Sequence, residues 1–261
     1  MRVRVPPRAH RSFNQNLILL KYNGVMPQRR LPPRNFIWTP PLAYVVGLLV
    51  TDGNLSNDRR HINMRSAEIP MLETFKRCLG IKNKIGSDMK KDGHIHFRVQ
   101  FSDVQFYDWL LKIGLTPAKS LTIGGVNVPD WVFPDYLRGT IDGDGNIQTY
   151  SDKYNYYKER NYITQRLFIR IVSGSERHII WLQSKIQELK QLHGAIIRRP
   201  PPDKKRSPLW ELKFAKKESM KLIGWIYYDP SVPCLQRKRG IAENALKIIS
   251  EQKQKKYEFI S

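Results

Sequence analysis

The chain has 261 residues, 41% hydrophobic, 11% aromatic and 26% charged, enough apolar material for one or two packed cores. Its 45 Lys and Arg against 23 Asp and Glu leave a formal net charge of +22, a self-repulsion that a polyanion, nucleic acid above all, would offset. The longest apolar run, Leu42 to Val50, is far shorter than the roughly 20 residues of a membrane span. Two cysteines, Cys78 and Cys234, exclude a disulfide framework and a cysteine zinc finger. Secreted and membrane classes give way to an intracellular protein that handles nucleic acid, in a bacterial cytoplasm or an organelle.

Residues 1–34 hold seven arginines, five prolines and no acid, and read as a basic arm for nucleic-acid backbone. An acid-free, Arg-rich start also resembles an organellar transit segment. From Phe36 the pattern is globular. An apolar helix ends at Asp52-Gly53, followed by alternating polar stretches at 54–56 and 61–65 and an amphipathic helix over 68–79. A hairpin is predicted from 84–90 and 94–101 about the turn Lys91-Asp92-Gly93, then a helix over 104–113.

The second half runs the same course. Strands are predicted at 147–149 and 166–172, a helix at 176–192, a hairpin from 195–199 and 210–214, and helices at 217–226 and 239–249. The tyrosine-rich stretch 150–162 has no counterpart in the first half and reads as a long loop or an extended hairpin. With the chain laid on itself at an offset of 92, Tyr44, Gly47, Leu49, Asp52, Gly53, Asn54 and Leu55 fall on Tyr136, Gly139, Ile141, Asp144, Gly145, Asn146 and Ile147. Internal duplication is the natural cause. The expected organisation is an arm (1–34), a first repeat (35–125), a second repeat (126–250) and a basic tail (251–261).

Each repeat places an aspartate at the C-terminal end of an apolar helix, Asp52 and Asp144, where the helix dipole is unfavourable to an anion. The same misfit occurring twice points to a compensating divalent cation. A calcium loop starting at Asp142 is excluded, because its sixth position is Ile147 and its twelfth Lys153. Gly47 and Gly139 lie inside these helices, where glycine costs about 1 kcal/mol relative to alanine. Their use would be a close approach of the two helices, bringing Asp52 and Asp144 together.

These residues resemble the LAGLIDADG homing endonucleases in their single-chain form with two motif copies. The resemblance implies an α+β fold of two pseudo-symmetric αββαββα repeats, with the motif helices at the central interface. Two antiparallel sheets would form a saddle on duplex DNA. It also implies that Asp52 and Asp144 bind catalytic Mg2+, or another divalent cation such as Mn2+ or Ca2+, with backbone carbonyls from Thr51 and Gly143. The family's earlier acid is Asp142 in the second copy but Val50 in the first, a position that is not a metal ligand. A basic residue near each active centre maps to Lys119 and Lys238, where a cation would stabilise charge on the scissile phosphate.

Strand alternation nominates DNA-contacting residues: Asn63, Arg65, His96, Arg98 and Gln100 in the first half, and Gln148, Arg166, Arg170, Arg198 and Lys213 in the second. His94 and His96 share a strand face at metal-like spacing but lack a third ligand. Cys78 reads as core. The function implied is a monomeric, site-specific endonuclease that makes double-strand breaks in a long asymmetric target. The alternative is an RNA-splicing maturase that binds its own intron. A DNA-binding regulator is disfavoured by two intact acids, and an intein by the lack of splicing residues at either end.

Overall fold

The computed structural model describes residues 32–258 except 90–92, 94, 158–159, 202 and 204–205, and leaves side chains over 153–163 and at 253 and 255–258 undescribed. The first 31 residues of the basic arm, and His94, therefore lie outside the described residues. From Arg34 to Ser261 the chain forms one compact unit.

Helix α1 (Pro40–Thr51) begins where Thr39 accepts a 3.3 Å hydrogen bond from Leu42 N–H, with Pro40 and Pro41 in the first turn. Every residue from Ala43 to Val50 is buried, so this helix is apolar all round and runs through the centre. Strands β1 (Gly53–Leu55) and β2 (His61–Ser66) follow, then α2 (Ile69–Leu79), which ends on the left-handed Gly80 at φ 66°. Strands β3 (Ile85–Met89) and β4 (Ile95–Ser102) lead to α3 (Val104–Lys112), capped by the Asp103 carboxylate on Phe106 N–H at 3.0 Å. Short 3-10 turns at Lys119–Leu121 and Asp130–Val132 connect to the second repeat.

That repeat comprises α4 (Phe133–Asp144), β5 (Gly145–Tyr157), β6 (Arg160–Ser173), α5 (Glu176–Lys190), β7 (Ala195–Arg199), β8 (Leu209–Phe214) and α6 (Lys216–Ile226). The strand orders are β1-β2-β4-β3 and β5-β6-β8-β7, identical antiparallel arrangements of two four-stranded sheets. The stretch 150–162 takes the hairpin form, with β5 paired to β6 through a register irregularity between Asp152 and Asn155. A final helix, α7 (Gln236–Glu258), runs through most of the expected tail, and Gln252 of that helix accepts from Gln165 N–H on β6 at 3.4 Å.

Each sheet has one apolar face, carrying Ile62, Met64 and Val99 in the first and Leu167, Ile169, Leu212 and Phe214 in the second, all fully buried. These cores meet across α1 and α4. A Cβ on Gly47 would lie 2.1 Å from Tyr136 O, and one on Gly139 would lie 2.2 Å from Tyr44 O. Those oxygens are main chain, so only two glycines permit this crossing. Arg138 of α4, wholly buried, bonds Ile226 O, Pro233 O and Asp135, tying α4 to the segments around α6 and α7.

Gly139→Ala should therefore destabilise the fold by about 3 kcal/mol, and Gly47→Ala similarly, measured by urea unfolding. A second prediction concerns His178. Its Nδ1–H donates to Gly124 O at 2.7 Å, its ring stacks on Trp181, and burial pushes its pKa down to about 4. The unfolded imidazole takes up a proton near its ordinary value while the folded one does not, so this contribution to stability is lost as pH falls from neutrality towards 4. Relative to His178→Gln, the wild type should lose about 3 kcal/mol over that window, read from unfolding curves at stepped pH.

Candidate active site

Because α1 and α4 cross at mirrored glycines, their C-terminal ends arrive side by side. A Cβ on Gly143 would lie 1.9 Å from Thr51 Oγ1 and 3.0 Å from Asp52 Oδ2, so glycine is required there too. Asp52 is half-buried and Asp144 opens to solvent. Crowding by the helix ends nonetheless disfavours the charge on both. Burial first, then the neighbouring Asp144 carboxylate, push the Asp52 pKa up to about 6. Burial likewise raises Asp144, while Lys119 and Lys238 pull it back.

The two lysines reach this centre from outside the motif helices. Lys119 sits in the first 3-10 turn and donates to Gly53 O. Lys238, in the first turn of α7, donates to Ile141 O, Asp142 O and Gly145 O, each at 2.7 Å, and more distantly to Gly143 O at 3.4 Å. Gly53 and Gly145 are equivalent under the 92-residue offset, so the two ammonium groups occupy matching places. Both lysines are buried. Burial brings Lys119 down to about 8 against the pull of Asp144 and Asp52. Their Nζ atoms are thus committed to carbonyls at or just past the helix ends, where they act as cations at the negative end of a helix dipole.

Among the described residues, neither the Asp52 nor the Asp144 carboxylate takes part in a side-chain hydrogen bond or an ion pair. Two unclaimed carboxylates offer the hard oxygen donors that Mg2+ accepts alongside substrate phosphates. No group of three His, Cys, Asp or Glu positioned for a metal occurs among the described residues. Asp142 has a different place. Its Oδ2 accepts from Tyr44 Oη at 2.8 Å and from Leu235 N–H at 2.7 Å, locking α4 to α1 and to the start of α7.

The strand registers assemble two polar faces opposite the apolar ones. In the first sheet, Asn63 pairs with Gln100 and Arg65 with Arg98, and His96 lies on the same face beside Asp88. Arg65 and Gln100 are exposed, but Asn63 is only 8% exposed between its strand partners Asn54 and Gln100. Its nomination as a direct contact is corrected: it forms part of the floor. In the second sheet Gln148, Arg166, Arg170 and Lys213 share the polar face. Arg198 does not. It pairs with Trp210 and falls on the side of Leu212, while its neighbour Arg199 takes the polar face. The run Ile196-Ile197-Arg198-Arg199 has no alternation to reveal which arginine points where, and a slip of one residue exchanges the faces. Arg199 and Glu211 also lie on the polar face, although the sequence did not single them out.

No protein-family model matches the chain, and no curated protein does. Solved structures do. The meganuclease I-SmaMI bound to uncleavable DNA is 15% identical at a TM-score of 0.53, covering 85% of this chain and 92% of that one. The LAGLIDADG meganuclease I-AabMI bound to uncleaved DNA is 13% identical at a TM-score of 0.53, with 84% and 92% covered. Full-length DUF199/WhiA from Thermatoga maritima is 12% identical at a TM-score of 0.51, with 87% and 68% covered. The chain therefore has the fold of the LAGLIDADG homing endonucleases. Proteins of different name share it, so the fold alone does not assign an activity.

Removing the Lys238 ammonium takes a cationic donor from the Ile141, Asp142 and Gly145 carbonyls around the α4 C-terminus. Lys238→Met should cost about 3 kcal/mol, and Lys119→Met, which releases one carbonyl, less than that. Denaturant unfolding without nucleic acid measures both, and equal, negligible effects would refute the capping role.

Proposed function

We propose that this chain is a divalent-metal-dependent endonuclease that cuts both strands of a long, asymmetric duplex DNA target, acting as a monomer. The observation that carries this reading is the meeting of two unclaimed carboxylates, Asp52 and Asp144, at mirrored helix ends. A plain pair of helix termini has no need of two acids that repel each other there. The polar sheet faces support a duplex partner, since a β-ribbon fits the major groove and Arg, Gln and Asn pair with base edges. The net charge of +22 suits a polyanion. The neighbours bound to DNA share the fold. No helix among the described residues is long and apolar enough to cross a membrane.

Asp52, Asp144 and the Thr51 and Gly143 carbonyls would hold the cation, which when bound supplies neutralisation of phosphate charge and an acidified water. The chain's own groups do the rest. Thr51 packs its hydroxyl against Gly143 and so fixes the spacing of the two helix ends. Lys119 and Lys238 cancel the negative potential of the helix-end carbonyls, so that a phosphate can approach two aspartates. The polar faces hold the duplex in register with that centre.

Asp52→Asn and Asp144→Asn should each abolish double-strand cleavage in Mg2+ and leave duplex affinity within a few-fold of wild type. EDTA should stop cutting and spare binding. Cleavage and gel-shift assays on targets selected from a randomised duplex library check this. Normal cutting by either variant, or preference of the wild type for structured RNA over every duplex, overturns the reading.

A further inference from the structure

An acid lies beneath the arginines of the second polar face. Arginines on both faces are matched with carboxylates on adjacent strands: Arg98 with Asp88 at 3.5 Å, Arg166 with Asp152 at 2.8 Å, and Arg199 with Glu211 at 2.9 Å. Glu211 also faces Arg170, at 3.6 Å, and so serves two arginines from two different strands. Asp88 is open to solvent, whereas the Glu211 side chain is only 7% exposed. Burying a carboxylate on a strongly basic surface is costly unless paired cations offset it. Its Oε1 is shielded and makes no hydrogen bond, and neither does the Arg170 Nε that faces it, so this pair meets through charge rather than through a hydrogen bond.

The surroundings restrict the two guanidiniums further. Arg170 lies over the Phe168 ring at 5.8 Å, and the Lys213 ammonium sits 4.3 Å from the same ring. Arg199 engages Glu211 through both Nε and a terminal nitrogen, fixing the plane of its fork. An unpaired arginine on a saddle would bind any phosphate in reach. One whose charge is partly offset from below, and whose plane is fixed as that of Arg199 is, gains less from phosphate and keeps its geometric match to a purine edge.

We propose that Glu211 is a positioning residue that holds Arg170 and Arg199 for direct readout of guanine within the target. This rests on the duplex-DNA reading above. It makes the arginine patch a source of sequence discrimination, with non-specific affinity left to the unpaired lysines and arginines elsewhere.

The test is enrichment from a randomised duplex library, without divalent cation, by the full chain as wild type, Glu211→Gln and Arg199→Ala. The wild type should enrich a target with guanine at one or two adjacent positions that both variants relax. Discrimination there should fall roughly 5- to 150-fold. Affinity of Glu211→Gln for random duplex should hold or rise, because one negative charge is gone. A role in folding alone would weaken all positions together. Arg199 is half exposed, so its variant keeps the test decisive if Glu211→Gln fails to fold. A wild type that enriches no sequence overturns the DNA reading and this proposal with it. A selective wild type whose profile Glu211→Gln reproduces, or loses uniformly, overturns this proposal alone.

Discussion

The contact between α1 and α4 is made by main chain, and most of the molecule follows from that. Gly47 lies on the Tyr136 carbonyl and Gly139 on the Tyr44 carbonyl, at distances no side chain could share. Helices that touch so closely bring their C-termini together, and with them two sets of unpaired carbonyls and two aspartates. Such a concentration of negative potential is unfavourable as it stands. Lys119 and Lys238 answer the carbonyls directly. The aspartates are left with their oxygens free, and that residue of unmet charge is what a cation would use.

The halves share this frame and differ in what they build on it. The first pair of strands, β1 and β2, spans 3 and 6 residues, whereas β5 and β6 span 13 and 14. The longer ribbon has support that the shorter does not need, from α7 alongside it. Asp142 ties Tyr44 and Leu235 together, and the equivalent position in the first half is Val50, which packs without a polar partner. A duplicated scaffold with unequal attachments suits a substrate whose two sides are unlike.

Much of this was legible in the sequence, for reasons that can be named. The repeat showed itself because a backbone approach tolerates only glycine and because Asp-Gly closes both motif helices. The αββαββα order followed from periodicity and turn residues. What escaped depended on distant partners. Nothing local announces that the Lys238 ammonium ends on α4 carbonyls some 95 residues away. Asn63 alternates correctly yet sits low between Asn54 and Gln100, since burial on a central strand depends on its neighbours. Arg198 and Arg199 could not be separated, because the face of an edge strand is set by its register with β8. Nothing local singles out Glu211 in its alternating strand, and only pairing across three strands shows two arginines closing over it.

The mirrored glycine contact carries one more implication. It is written in Cα atoms and carbonyls, so it places few demands on which side chains surround it. Each sheet draws all four strands from its own half of the chain. The connection through Lys119–Leu121 and Asp130–Val132 raises the effective concentration of one half at the other, and also brings Lys119 to Gly53 and the Gly124 carbonyl to His178. An incoming half brings its own reading surface and must supply what the crossing uses: a glycine against the facing carbonyl and, beside it, its side of the Tyr44–Asp142 hydrogen bond.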